Sequence, residues 1–146
     1  MASWESASFE NEAAGAWFLV VEEAVDPGSV IAETLDAALA EAEQLELDLA
    51  CQAIAAAELS AACAGHPGEQ LPDHIRIWTQ SHPHLPHDSE IEHAIHAVTR
   101  IREDSELRQS WQASGAEAGR AWRREIDDLI ARLRRSGAGE PATLAP

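Results

Sequence analysis

Apolar residues recur three and four positions apart along most of the chain, the spacing that puts them on one face of an α-helix. Two of these stripes are Ile31, Leu35, Ala38, Leu39 and Ala42, and Ala118, Trp122, Ile126, Leu129 and Leu133. The sequence contains no sustained alternation of apolar and polar residues and no hairpin turn signal. The pattern therefore predicts an all-α protein.

Capping residues divide this pattern into a compact single-domain bundle of about six helices. The predicted helix starts are Asn11, Asp26 before Pro27, Ser89 with Glu92 as a capping box, Asp104, and Ser114 with Glu117 as a second capping box. The segment from Asp48 to Ala64 is apolar almost all round and rich in Ala, which predicts a buried central helix. We expect one helical domain over residues 1–136 and a flexible tail over residues 137–146.

The charge is unevenly distributed between the two halves of the chain. The net charge is −16, and the segment from Met1 to Ile75 contains 15 acidic residues and no Lys or Arg. Such a field repels nucleic acids and anionic membranes and attracts basic proteins. We expect a basic protein partner to bind an acidic strip made of six residues: Glu33, Asp36, Glu41, Glu43, Glu46 and Asp48.

Two other interpretations of the acidic strip remain open. The carboxylates could serve only as a solubilising coat. Alternatively, an arginine face on the last helix could neutralise them within the molecule or across a dimer. That face consists of Arg120, Arg123, Arg124, Arg132, Arg134 and Arg135.

Five of the seven histidines lie between Ser81 and His96, so a metal site has to be considered. A helical wheel puts His93 and His96 opposite the apolar face, on the same side as Arg100. A nearby cation disfavours a metal ion, and we therefore predict a solvated turn and helix face, with no metal and no cofactor. The alternative is a metal-dependent enzyme that uses the His82–His96 cluster together with Glu90 or Glu92.

No catalytic residues are predicted elsewhere in the sequence. The chain has no nucleophile elbow, no phosphate-binding glycine loop and no HExxH motif. Cys51 and Cys63 fall twelve residues apart in one predicted helix, about 18 Å at a rise of about 1.5 Å per residue. A disulfide between them is therefore excluded, and both are expected to be small buried side chains.

The opening segment "MASWESASFENEAAGAW" resembles the start of a bacterial family known as domain of unknown function 4259. The matching positions are Trp4, Phe9, Asn11, Glu12, Ala14 and Trp17. Departures occur at Ala2, Glu5 and Ala7, where the family usually has glycines, and at Ala16, where it usually has Asp. The resemblance extends to about Arg135 and implies a small helical bacterial protein without an established activity. We expect the Trp4–Trp17 arm to fold over the bundle.

These observations favour a non-enzymatic protein-binding module. An immunity protein or antitoxin-like neutraliser of a basic toxic effector, such as a nuclease, fits the size and the charge. A helical protein whose charge serves only solubility is the remaining alternative. The N-terminus lacks the pattern of a signal peptide, and no apolar run approaches the roughly 20 residues of a membrane span. We therefore expect a cytoplasmic protein.

Overall fold

The structure is a computed structural model that describes residues 11–82 and 88–136. These residues form seven α-helices and no β-strand, so the predicted all-α class is confirmed, although the expected number of helices was about six. The helices are α1 (Glu12–Glu23), α2 (Pro27–Ala40), α3 (Leu47–Cys63), α4 (Asp73–Gln80), α5 (Asp88–Glu103), α6 (Glu106–Ala113) and α7 (Ala116–Ser136). Trp4, Phe9, His84, His87 and the predicted tail over residues 137–146 lie outside the described residues.

The first two helices begin at the predicted residues. The Asn11 side chain accepts a hydrogen bond of 2.8 Å from the Ala14 N–H, as an N-cap does. Asp26 is the N-cap residue of α2, but its carboxylate accepts from the Ser29 hydroxyl at 2.7 Å instead of from a main-chain N–H. The buried Trp17 indole donates to the Thr34 hydroxyl at 2.9 Å, which ties α1 to α2.

Most of helix α3 is buried against the other helices. Thirteen of its 17 residues are buried, and it contacts each of the other six helices in the described part of the chain. Most of these buried residues are Ala, whose small side chain allows neighbouring helices to approach closely. Cys51 and Cys63 are buried and unpaired, as predicted.

The short helix predicted after α5 is present, but it begins one residue later than expected. Ser105, and not Asp104, caps α6, because its hydroxyl accepts from the Arg108 N–H at 3.0 Å. The same hydroxyl donates to the Ile101 carbonyl at 2.8 Å, so a single residue ends α5 and starts α6. Helix α5 itself begins at Asp88, one residue before the predicted Ser89.

The last helix has the predicted apolar stripe but a different start. Trp122, Ile126, Leu129 and Leu133 are all buried. Ser114 was expected to cap α7; instead it is the C-cap residue of α6, and its hydroxyl donates to the Ser110 carbonyl at 3.1 Å. The chain then turns at a glycine with positive φ before α7 begins. None of the described helices is long and apolar enough to cross a membrane.

Candidate functional site

The six residues of the acidic strip are all exposed to solvent. The first two, Glu33 and Asp36, lie in α2, and the next three lie in the connection that follows it. Asp48 lies at the start of α3. Glu46 is the N-cap residue of α3 and Asp48 lies in its first turn, where the helix dipole favours a negative charge. The other four carboxylates do not lie at the start of a helix.

Arg100 of α5 organises the connection that carries the middle of the acidic strip. Its guanidinium donates hydrogen bonds to three main-chain carbonyls, those of Ala38 (3.0 Å), Glu41 and Glu43. The Ala38 and Glu41 carbonyls lie at the C-terminal end of α2, where a cation compensates the unpaired carbonyl groups and the helix dipole, and the Glu43 carbonyl lies in the connection to α3. Arg100 therefore holds the backbone beneath the strip and forms no ion pair with its carboxylates.

Few side chains contact the carboxylates of the strip. Asp36 lies 3.2 Å from the Nδ1 atom of His93, and both side chains are about half exposed. The Glu41 carboxylate accepts a hydrogen bond of 3.3 Å from the Glu43 N–H. Within residues 11–82 and 88–136, no arginine forms an ion pair with any of the six residues. Within one molecule, the arginines of the last helix therefore do not neutralise the strip.

The described histidines of the cluster, His82, His93 and His96, make different contacts. His93 and His96 are exposed, as the helical wheel predicts, and His93 faces Asp36. His82 stacks on the Trp78 ring at 4.1 Å, and its Nδ1 atom lies 2.8 Å from the Trp78 carbonyl oxygen. In the described part of the chain, no group of three or more His, Cys, Asp and Glu side chains could hold a metal ion.

The structure also contains a buried ion pair that the sequence analysis missed. Arg132 was assigned to the exposed arginine face, yet it is only 5% exposed. Two of its nitrogens donate to the two carboxylate oxygens of Glu58 at 3.1 and 3.2 Å. Its Nε atom donates to Asp128 at 2.7 Å, and the His66 carbonyl accepts a further bond at 3.3 Å.

Burial alone would lower the pKa of Arg132, because a charge loses its hydration there. The attraction and hydrogen bonds of Glu58, together with those of Asp128, outweigh this effect and raise the pKa. Arg132 therefore keeps its charge and joins α7 to α3. One signal in the sequence could have revealed the pair: Glu58 is a lone acid in the middle of an apolar helix, and such a charge needs a partner.

A cleft of about 470 Å³ opens beside this ion pair, between α3, α6, α7 and the loop that precedes α4. Its walls include Trp111, Trp122 and Ile126, and Glu58 and Arg132 line it as well. Cys51 also lines the cleft, but burial raises the pKa of its thiol to about 11. At neutral pH that thiol is protonated, and it is therefore a poor nucleophile.

The fold and these surfaces define a small helical protein with an exposed acidic strip and a charged pair in its core. A family model described as "Domain of unknown function (DUF4259)" matches residues 2–125. The chain belongs to this family, as the resemblance in its opening segment indicated. No curated protein and no solved structure matches the chain.

Proposed function

We propose that this protein is a non-enzymatic binding module whose acidic strip holds a basic protein. The observation that carries the proposal is the exposure of the strip. Its six carboxylates face solvent, and none of them has an arginine partner among the described residues. Surface charges that are not neutralised within their own molecule attract a partner of opposite charge and speed its association.

The backbone beneath the strip supports the same proposal. Arg100 donates hydrogen bonds to three carbonyls in the last turn of α2 and in the connection to α3, so these bonds hold the backbone that carries the middle of the strip. A binding surface that is already ordered loses less conformational entropy when its partner binds. The role we assign to such a module is that of an immunity protein or antitoxin, which neutralises a basic toxic effector such as a nuclease.

The experiment is affinity capture from the native host with three forms of the full-length protein. The first is the wild type, and the second removes three strip charges: Glu33→Gln, Asp36→Asn and Glu43→Gln. The third is a matched control that removes the same number of charges from exposed carboxylates outside the strip: Glu22→Gln, Glu23→Gln and Glu117→Gln. Captured proteins are identified by mass spectrometry and then purified for binding measurements.

We expect the wild type and the control to capture a protein with an excess of Lys and Arg, and the strip variant to lose it. High salt should weaken the complex, because the Debye length falls from about 10 Å at 0.1 M to about 3 Å at 1 M. Equal capture by the strip variant and the wild type would refute the proposal. If no form captures a partner, the solubilising role of the charge is the better account.

A further inference from the structure

A second hollow, of about 500 Å³, lies where α6 meets the N-terminal end of α7. Its described lining residues include no acid. They include four of the ten arginines of the chain: Arg108, Arg120, Arg123 and Arg124. A protein with a net charge of −16 therefore concentrates positive charge at one place on its surface.

Two of these arginines repel each other. Arg120 and Arg124 are four residues apart, and like charges at that spacing on a helix repel each other. Arg120 also follows directly after the first turn of α7, the end at which a helix dipole favours anions over cations. The arrangement thus has an electrostatic cost in the free protein, and an anion in the hollow would remove that cost.

Neighbouring acids neutralise only part of this charge. Arg123 lies 3.6 Å from the Glu103 carboxylate, and Arg108 donates to the Glu103 main-chain carbonyl at 3.4 Å. Both contacts are long for charge-assisted bonds. Arg120 and Arg124 are exposed and form no ion pair with any residue that the structure describes. Glu117 lies three residues before Arg120, and Glu125 follows Arg124 directly.

The start of α7 adds main-chain donors to the arginines. Gly115, at φ 116°, precedes the helix and has no side chain to cap it, and the Ser114 hydroxyl is bonded to Ser110. Neither Ser114 nor Gly115 thus provides a side-chain cap for the N–H groups of the first turn. Gly115 and Gly119 both line the hollow, so no side chain projects from either position. Main-chain N–H groups at a helix start are good donors to phosphate oxygens.

We propose that this hollow binds a small phosphate-bearing molecule, with Arg120 and Arg124 as its main contacts. A small anion responds to the local charge within about one Debye length, roughly 8–10 Å at moderate salt. A long nucleic acid would also meet the negative field of the rest of the molecule, which disfavours it. The site is independent of the acidic strip, since it lies on α6 and α7.

Calorimetric titration with inorganic pyrophosphate tests the proposal on the full-length protein. The hollow variant is Arg120→Gln with Arg124→Gln. The matched control is Arg134→Gln with Arg135→Gln, which removes the same charge from exposed positions of the same helix outside the hollow. We expect one saturable site in the wild type, and a Kd at least about tenfold higher in the hollow variant, since two charge-assisted contacts are lost. The control should stay within about twofold of the wild type, because it changes only the distant field.

Circular dichroism first verifies that each variant is folded, and the single changes Arg120→Gln and Arg124→Gln replace the double variant if it is not. Absence of saturable binding to the wild type would overturn the proposal. Equal loss in the hollow variant and the control would do so too, because it would mean that only the overall charge matters. Duplex DNA bound as tightly as pyrophosphate would overturn the assignment of a small ligand.

Discussion

The acidic strip and the Glu58–Arg132 pair use the same kinds of charged side chain in opposite surroundings. The carboxylates of the strip are exposed to solvent, and Arg100 donates its hydrogen bonds to the main chain beneath them. In the core, Glu58 and Arg132 are almost fully buried and satisfy each other through two hydrogen bonds. Charges that are exposed remain available to a partner, whereas charges that are buried contribute to the fold only while both members are present.

The largest effect is expected from breaking the buried pair. Arg132→Met should lower the free energy of unfolding by about 3–5 kcal/mol, because the buried Glu58 carboxylate would lose the guanidinium that donates two hydrogen bonds to it. Urea denaturation followed by circular dichroism at neutral pH measures the loss. Arg134→Met, on the exposed part of the same helix, is the control and should change the midpoint little.

The double variant Glu58→Leu with Arg132→Met sharpens this result. It removes both charges and leaves apolar side chains in the core, so most of the lost stability should return. A single Arg132→Met variant that loses less than about 1 kcal/mol would contradict the account, since the pair would then be dispensable. So would a double variant that is as unstable as the single one.

An intermediate effect is expected at Arg100, which bonds to the backbone beneath the strip. Arg100→Met should cost about 1–2 kcal/mol, because three carbonyls lose a charged donor but are near enough to solvent for water to replace it in part. Hydrogen exchange should also become faster along the connection between α2 and α3. Unchanged exchange there would mean that Arg100 does not order this segment.

The smallest effect on stability is expected in the strip itself. Changing Glu33, Asp36 and Glu43 to their amides should shift the free energy of unfolding by no more than about 0.5 kcal/mol, because the side chains are exposed. Thermal denaturation of the triple variant beside the wild type measures this. A loss of several kcal/mol would assign the strip a structural role in place of a binding role.

Much of the local structure follows from the sequence, because local structure depends on neighbours in the chain. The apolar period places Trp122 and Leu129 in the core, and Asn11 marks the start of α1. The exposure of Glu33 and Asp36 also follows from their place outside the apolar stripe of α2. Ser105 was missed as a cap because Asp104 beside it is an equally good capping residue by type.

The contacts between distant segments could not be predicted in the same way. Arg132 bonds to a residue 74 positions away, and nothing in its own helix separates it from the exposed arginines around it. Arg100 shares a helix face with His93 and His96, but its long side chain reaches the end of α2, 62 residues away in sequence at Ala38. Such pairings depend on how the helices pack, which the apolar period does not specify.

The association rate of the captured basic partner, measured as a function of salt, tests the central claim most directly. Purified wild type, strip variant and matched control are each mixed with the partner at salt concentrations from about 0.1 M to about 1 M, over which the Debye length shrinks from about 10 Å to about 3 Å. If the strip steers the partner, the rate for the wild type and the control falls steeply with salt, and the rate for the strip variant starts lower and falls less. The same salt dependence for the wild type and the strip variant would contradict the account.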